Sequence, residues 1–249
     1  MAKVKCAWFD FASCEGCQIE VTNFGEPFVQ LLENIEPVEF REAMSEKTTE
    51  PIDVAFIEGS FTREVDRRRL EDIRRRAAVV VAYGACAASG GINALKNHQD
   101  DYAQEVYGAD KDRPHLNSQK AMPISAAIKV DYEIRGCPVD KDEFIRVVTQ
   151  LVKGTEKVYV PSYSVCMECK RNGTVCRYDE GDYCLGPIAR AGCGAPCPAA
   201  GIPCEACRGF VDDANQEAME KVLIENGKLP EQWAKTKSRM FTANLRGDA

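Results

Sequence analysis

The sequence predicts an α/β fold in which a parallel-sheet domain is followed by a small, irregular, cysteine-rich domain. Three observations predict it. Strand and helix signals alternate over roughly the first 155 residues, the apolar patterning stops near Tyr163, and eight of the thirteen cysteines fall between Cys166 and Cys207. A chain of 249 residues has room for one domain of average size plus an appendage, so residues 1–160 and 161–249 are read as the two units.

Each element has its own warrant. "VKCAWFD" (4–10) reads as a buried first strand, and "IDVAFIEG" (52–59) and "AVVVAYGA" (78–85) as continuous apolar strands buried on both faces. "KVDYEIRG" (129–136) alternates like a strand with one polar face. Between them, Ile19, Phe24, Phe28, Leu31, Leu32 and Ile35 fall on one helical face, as do Val65, Leu70 and Ile73. The clearest helix is "DKDEFIRVVTQLVKG": Asp140 can cap it, Glu143 completes a capping-box pattern and Gly154 ends it. Strands alternating with helices give a parallel sheet covered on both faces, with its chemistry at the carboxyl ends of the strands. After Cys207, "QEAMEKVLIENGKL" reads as one helix and "AKTKSRMFTANLRGDA" as an irregular tail.

Composition narrows the function. Apolar residues make up 45% of the chain, enough for a core, and the formal net charge of −7 excludes a general nucleic-acid binder, which needs a basic face. The arginines of "DRRRLEDIRRR" alternate with acids and read as a solvated helix face. "MAKVKCAWFDF" shows neither a secretory pattern nor a twin-arginine pair, and "AAVVVAYGACAASGG" is too short and glycine-rich to span a membrane. The expectation is a cytoplasmic protein with no membrane insertion. Reduced thiols are the rule there, so metal ligation leads over disulfides.

Twelve cysteines sort into three sets of four. Cys193, Cys197, Cys204 and Cys207 form C-x3-C-x6-C-x2-C, and Cys166, Cys169, Cys176 and Cys184 form C-x2-C-x6-C-x7-C. The third set is scattered: Cys14 and Cys17 in "SCEGC", Cys86 in "YGACAASGG" and Cys137 in "RGCPVD". Each of its members follows a predicted strand, so a parallel sheet would gather them at one edge. The adjacent glycines let backbone approach closely. Four thiolates suit either zinc or an iron–sulfur cluster. The short internal gaps and the Cys-Pro pairs at Cys137 and Cys197 favour [4Fe–4S] clusters, as in bacterial ferredoxin runs. Cys6, left over inside the first strand, reads as a small buried apolar residue.

"SCEGCQIEV", "VAFIEGSFT", "VAYGACAASGGI", "YEIRGCPVDKDEF", "CLGPIARAGC" and "GIPCEACRG", in this order and spread over nearly the whole chain, resemble the small subunit of [NiFe] hydrogenases. The resemblance implies a flavodoxin-like N-terminal domain. It also implies three [4Fe–4S] clusters: a proximal one on Cys14, Cys17, Cys86 and Cys137, a distal one on Cys166, Cys169, Cys176 and Cys184, and a medial one on Cys193, Cys197, Cys204 and Cys207. Cys166 stands where periplasmic relatives have a histidine, and the medial set is complete where many of them carry a three-iron cluster. Gly16 takes the place of an extra cysteine of oxygen-tolerant relatives. These departures resemble the cytoplasmic group 3 enzymes, above all the sulfhydrogenase delta and methyl-viologen-reducing types. The complex I subunit that shares the N-terminal domain has adjacent cysteines at the first motif and lacks the cysteine-rich region.

The resemblance implies a subunit inactive alone and carrying no catalytic residue for hydrogen. It would relay electrons between the nickel–iron site of a large subunit and a further flavin or iron–sulfur subunit that is nucleotide- or ferredoxin-linked. Two alternatives stand beside it: a related complex whose large subunit lacks nickel, and a zinc-stabilised scaffold without redox chemistry. Colour separates the last, since cubanes are brown and zinc is colourless. Glu58 reads either as a neighbour of the proximal cluster or subunit interface, or as an ordinary strand-end acid. Glu15 reads as tuning the cluster by its charge or as pointing to water. His98 and His115 read as surface residues, Trp8 as core, and the basic tail as a solvated terminus.

Overall fold

The computed structural model describes residues 2–99, 101–110, 113–114, 118–155 and 158–242. Its centre is a five-stranded parallel sheet ordered β2-β1-β3-β4-β5. The strands are β1 (Val4–Asp10), β2 (Ile35–Phe40), β3 (Ile52–Glu58), β4 (Ala77–Tyr83) and β5 (Tyr132–Ile134). This is the flavodoxin-like order, in which the chain reverses its direction of build-up at β1 and opens a crevice beyond the carboxyl ends of β1 and β3. β1 and β3 run in register from Cys6 opposite Val54 to Asp10 opposite Glu58, so two acids close the strands side by side.

Alternation along the strands sorts two cores. On one face Cys6, Trp8, Phe40, Phe56 and Tyr83 meet α1 (Gly16–Thr22), α2 (Glu26–Leu31) and α6 (Lys141–Val152) through Val21, Phe24, Leu31, Phe144 and Val147. On the other, Ala7, Phe9, Ile57 and Val80 meet Leu70 and Ile73 of α3 (Arg67–Arg76). Trp8 is the keystone of the first core. Its ring stacks between Phe40 and Phe56 at centroid distances of 4.6 and 4.9 Å, contacts that add about 1 kcal/mol each beyond burial. Cys6 is fully buried, as a small apolar residue would be.

The chain continues through α4 (Ala85–Ser89) and α5 (Tyr102–Tyr107), and past the sheet through α7 (Val165–Arg171), α8 (Pro196–Ala199), α9 (Gln216–Glu225) and α10 (Glu231–Lys237). Val165, Leu185, Ile188, Met219 and Leu223 form a third, smaller core around which the late cysteine loops are wrapped. Among the described residues no helix is long and apolar enough to cross a membrane.

Several expectations change. The single helical face drawn from Ile19 to Ile35 is two short helices broken at Gly25 (φ 65°), and Ile35 opens β2. β2 was masked by Pro37, which an edge strand tolerates because its missing N–H faces outward. Val65 stands in a 3-10 turn and is 75% exposed, leaving Leu70 and Ile73 to anchor α3. The arginines of α3 do pair with acids, as Arg76 with Asp72 at 2.9 Å and Arg74 with Asp131 at 2.5 Å. The tail that begins at Ala234 starts inside a helix, Glu231–Lys237, while residues 243–249 lie outside the described ones, as does His115. Asp140 caps α6 by accepting from the Glu143 N–H at 2.9 Å, but the Glu143 side chain turns inward and does not complete the box.

Candidate metal centres

The first thiol set is assembled by three strand ends. The loop after β1 carries Cys14 and leads into α1 with Cys17, the turn after β4 leads into α4 with Cys86, and the turn after β5 ends at Cys137. The four thiols are electrostatic neighbours: Cys137 and Cys86 act on Cys17, and Cys14 acts on both Cys86 and Cys137. Two glycines make room. A Cβ on Gly84 (φ 87°) would come within 2.6 Å of the Cys17 sulfur, and one on Gly91 (φ 61°) within 2.6 Å of the Cys86 sulfur. Cys14 and Cys137 are exposed and Cys17 is buried, so the set opens to the surface on one side.

Glu58 anchors this loop. It is 2% exposed at the end of β3, and its two oxygens accept from the N–H groups of Cys17 at 3.1 Å and Gln18 at 3.0 Å. It therefore caps α1 from a different strand, since the residue at the helix's own N-cap, Glu15, makes no side-chain cap. Burial raises the Glu58 pKa, and these backbone donors pull against the rise. Of the two readings of Glu58, the neighbour of the thiol set holds. Glu15 lies at the surface, partly open to water, where it pairs with Arg41 at 3.2 Å, and sharing a hydrogen bond with Glu42 raises its pKa.

The second set lines one cavity of about 130 Å3: Cys166 and Cys169 from one face of α7, Cys176 and Cys184 from the loops that follow. The third set, Cys193, Cys197, Cys204 and Cys207, lines another of about 230 Å3, and Cys137 of the first set borders it. The loops around these thiols are curled by residues with left-handed backbone. Glu15 (φ 60°) lies between Cys14 and Cys17, Ala195 (φ 55°) between Cys193 and Cys197, and Ala206 (φ 56°) between Cys204 and Cys207. Such conformations cost about 1–3 kcal/mol for a non-glycine residue and persist where the surroundings enforce them. Here the backbone N–H of Ala195 holds the Cys193 pKa down against burial, and that of Ala206 does so for Cys204.

Backbone donors also tie the sets to each other. Cys137 lies against the third set at the edge of its cavity, and the N–H of Cys204 donates to the Cys184 sulfur at 3.3 Å. Glu168, between Cys166 and Cys169, accepts from the Gly192 N–H at 2.8 Å and stands 4.0 Å from the Cys193 sulfur. The third set thus lies between the other two.

Burial pushes the thiols up from their ordinary value of 9.0, with neighbouring thiols adding to the rise: Cys86 to about 12, and Cys137, Cys166 and Cys193 to about 11. Left to themselves they are protonated. Cationic groups that displace these protons are what such donors fit, since thiolate is the ligand form. Among the described residues no three His, Cys, Asp or Glu side chains are grouped so as to hold a single metal ion. The late thiols ring volumes instead, which suits a multi-atom cluster better than one zinc. His98 is exposed and belongs to no set.

Fold and thiol sets together define an electron-transfer module built on a flavodoxin-like sheet. The chain belongs to the family described as NADH ubiquinone oxidoreductase, 20 Kd subunit, whose model matches residues 14–151, and it is of the hydrogenase small-subunit type within it. It is 35% identical to the sulfhydrogenase 2 subunit delta of Pyrococcus furiosus over 96% of this chain and 99% of that one. It is 32% identical to a subunit of the vhu F420-non-reducing hydrogenase of Methanocaldococcus jannaschii, over 84% and 83% of the two chains. Among solved structures, a chain of an NAD+-reducing [NiFe]-hydrogenase in the H2-reduced state superimposes with a TM-score of 0.57 and 26% identity, over 64% of this chain and 96% of that one. Both curated relatives align across the cysteine-rich segment, beyond the end of the family match at residue 151.

From the sequence pattern alone Glu168 and Arg208 draw no role, and Glu143 figures there only as a capping residue. Glu168 carried a readable signal, an acid enclosed by two cysteines on one helix, and Arg208 another, a lone cation ending a run of small residues.

Proposed function

We propose that this chain is the small subunit of a cytoplasmic [NiFe] hydrogenase of the nucleotide-, flavin- or ferredoxin-linked kind. Its twelve cysteines hold three [4Fe–4S] clusters, each able to carry one electron at a time. The first set faces a large subunit that contains the nickel–iron site, and the second faces a further flavin or iron–sulfur subunit. The two units of the chain are the sheet domain, 1–160, and the cysteine-rich domain, 161–249.

The observation that carries this reading is the adjacency of the three thiol sets. Cys137 borders the cavity ringed by the third set and the Cys204 N–H donates to the Cys184 sulfur, so the third set adjoins each of the others. A structural staple has no need of such continuity, whereas a relay depends on it. Backbone N–H groups donate to the Cys184 sulfur from Gly186 and Cys204, a device that tunes potential. The relatives named as sulfhydrogenase, F420-non-reducing and NAD-reducing hydrogenase subunits support a soluble partner as acceptor.

Iron, acid-labile sulfide and zinc per chain, measured on anaerobically purified protein, test the proposal. About twelve irons with matching sulfide are expected, as three cubanes require. About four irons would restrict the relay to the first set. Zinc without sulfide would remove it altogether.

A further inference from the structure

Arg208 follows Cys207 directly and is 2% exposed, as buried as any core residue. Its guanidinium makes three connections. Nε donates to the Ala191 carbonyl at 2.8 Å, Nη1 donates to the Arg135 carbonyl, and Nη2 meets the Glu143 carboxylate at 2.8 and 2.7 Å. Ala191 lies two residues before Cys193, and Arg135 two residues before Cys137. Glu143, 1% exposed, comes from α6 of the sheet core. Arg146 also approaches Glu143, at 3.7 Å. Gly192 (φ 123°) leaves the space: a Cβ there would strike the guanidinium and lie 3.0 Å from Glu143 Oε1.

A single planar fork therefore joins the turn that delivers Cys137, the two loops that deliver Cys193 and Cys207, and the helix under the sheet. Lysine cannot make these connections together, because an ammonium on a flexible stem does not present donors in fixed directions. The ion pair is also fully desolvated, so neither charge is screened by water.

We infer that Arg208 is a positioning residue that locks the first thiol set to the third at one separation, with Glu143 as its charge-balancing partner. This rests on the proposed cluster content. Guanidinium geometry sets the distance between the proximal and medial clusters. The Arg208–Glu143 balance sets the local charge felt by the medial thiolates of Cys193 and Cys207.

The test uses the chain in complex with its large subunit, fully reduced, and reads two quantities: the magnetic coupling between the proximal and medial clusters by EPR, and the medial midpoint potential by redox titration. Arg208→Lys is expected to keep its irons while the coupling weakens and its line shape broadens. Glu143→Gln is expected to keep the parental coupling while the medial potential rises, because the arginine charge is left unbalanced. Parental coupling in Arg208→Lys would overturn the assignment and leave Arg208 a packing residue. So would altered coupling with parental potential in Glu143→Gln. If Arg208→Lys does not fold, the apolar pair Arg208→Met with Glu143→Leu takes its place, since it leaves no unpaired buried charge. Failure of the cluster reading would show separately, as missing iron in the parent complex.

Discussion

Glu58 offers the sharpest test of how the sheet holds its thiols. Replacing it by alanine removes the acceptor of two buried N–H groups, those of Cys17 and Gln18, at the start of a helix only seven residues long. An orphaned buried donor costs about 1–3 kcal/mol, and loss of an N-cap about 1 kcal/mol. The two descriptions overlap, so the sum is about 3 kcal/mol rather than their total. Glu58→Gln keeps one acceptor and turns an NH2 toward the other donor, for about 2 kcal/mol. Against a typical stability of about 5–15 kcal/mol, either change is large. Urea denaturation of the anaerobic iron-loaded chain measures it, with iron retention at each step reporting the first thiol set. The alanine variant should unfold at distinctly lower urea and shed irons from that set first. A midpoint equivalent to less than about 0.5 kcal/mol of change, the range of a neutral surface substitution, would show that α1 needs no cap from β3.

Two further outcomes follow from the same geometry. Gly84→Ala places a methyl 2.6 Å from the Cys17 sulfur at a φ of 87° that a side chain resists. Iron per chain should fall from about twelve to about eight, one cubane's worth, with the late sets intact, and full retention would refute the close approach. Cluster loading should depend on pH in one direction. The folded, metal-free thiols of Cys86, Cys137, Cys166 and Cys193 are raised to between about 11 and about 12, so each releases a proton on ligation throughout the neutral range. Protons compete at every pH below those values, so uptake of iron and sulfide should improve from pH 7 to pH 9 at up to about tenfold per unit for each thiol still protonated. Uptake that is flat with pH would mean the thiols are already ionised.

Much of this architecture is legible in the order of residues. Short continuous apolar runs rich in β-branched and aromatic residues, such as "VAFIE" and "VVVAY", read as strands covered on both faces, and three of them separated by helices point to a parallel sheet. From that follows the edge at which Cys14, Cys86 and Cys137 meet. The reading failed where local signals were weak or conflicting. Pro37 hid β2, and the apolar residues from Ile19 to Ile35 mimic one helix although Gly25 divides them. Val65 fitted a helical period yet faces water, because periodicity assigns a phase but not the point at which the helix begins.

Cysteine spacing and the strands that precede Cys14, Cys86 and Cys137 are enough to sort twelve thiols into three candidate groups, the first at one edge of a parallel sheet. Only the tertiary structure decided how the groups stand to one another. The approach of Cys137 to the third set, the contact from Cys204 to Cys184, the cap that Glu58 lends to α1 and the fork of Arg208 all join residues distant in sequence or held in unrelated loops. The physical reason is that spacing fixes which side chains share a helix face or a loop. A hydrogen bond or buried ion pair between separate segments exists only once the cores of both have brought them within reach and driven out the water.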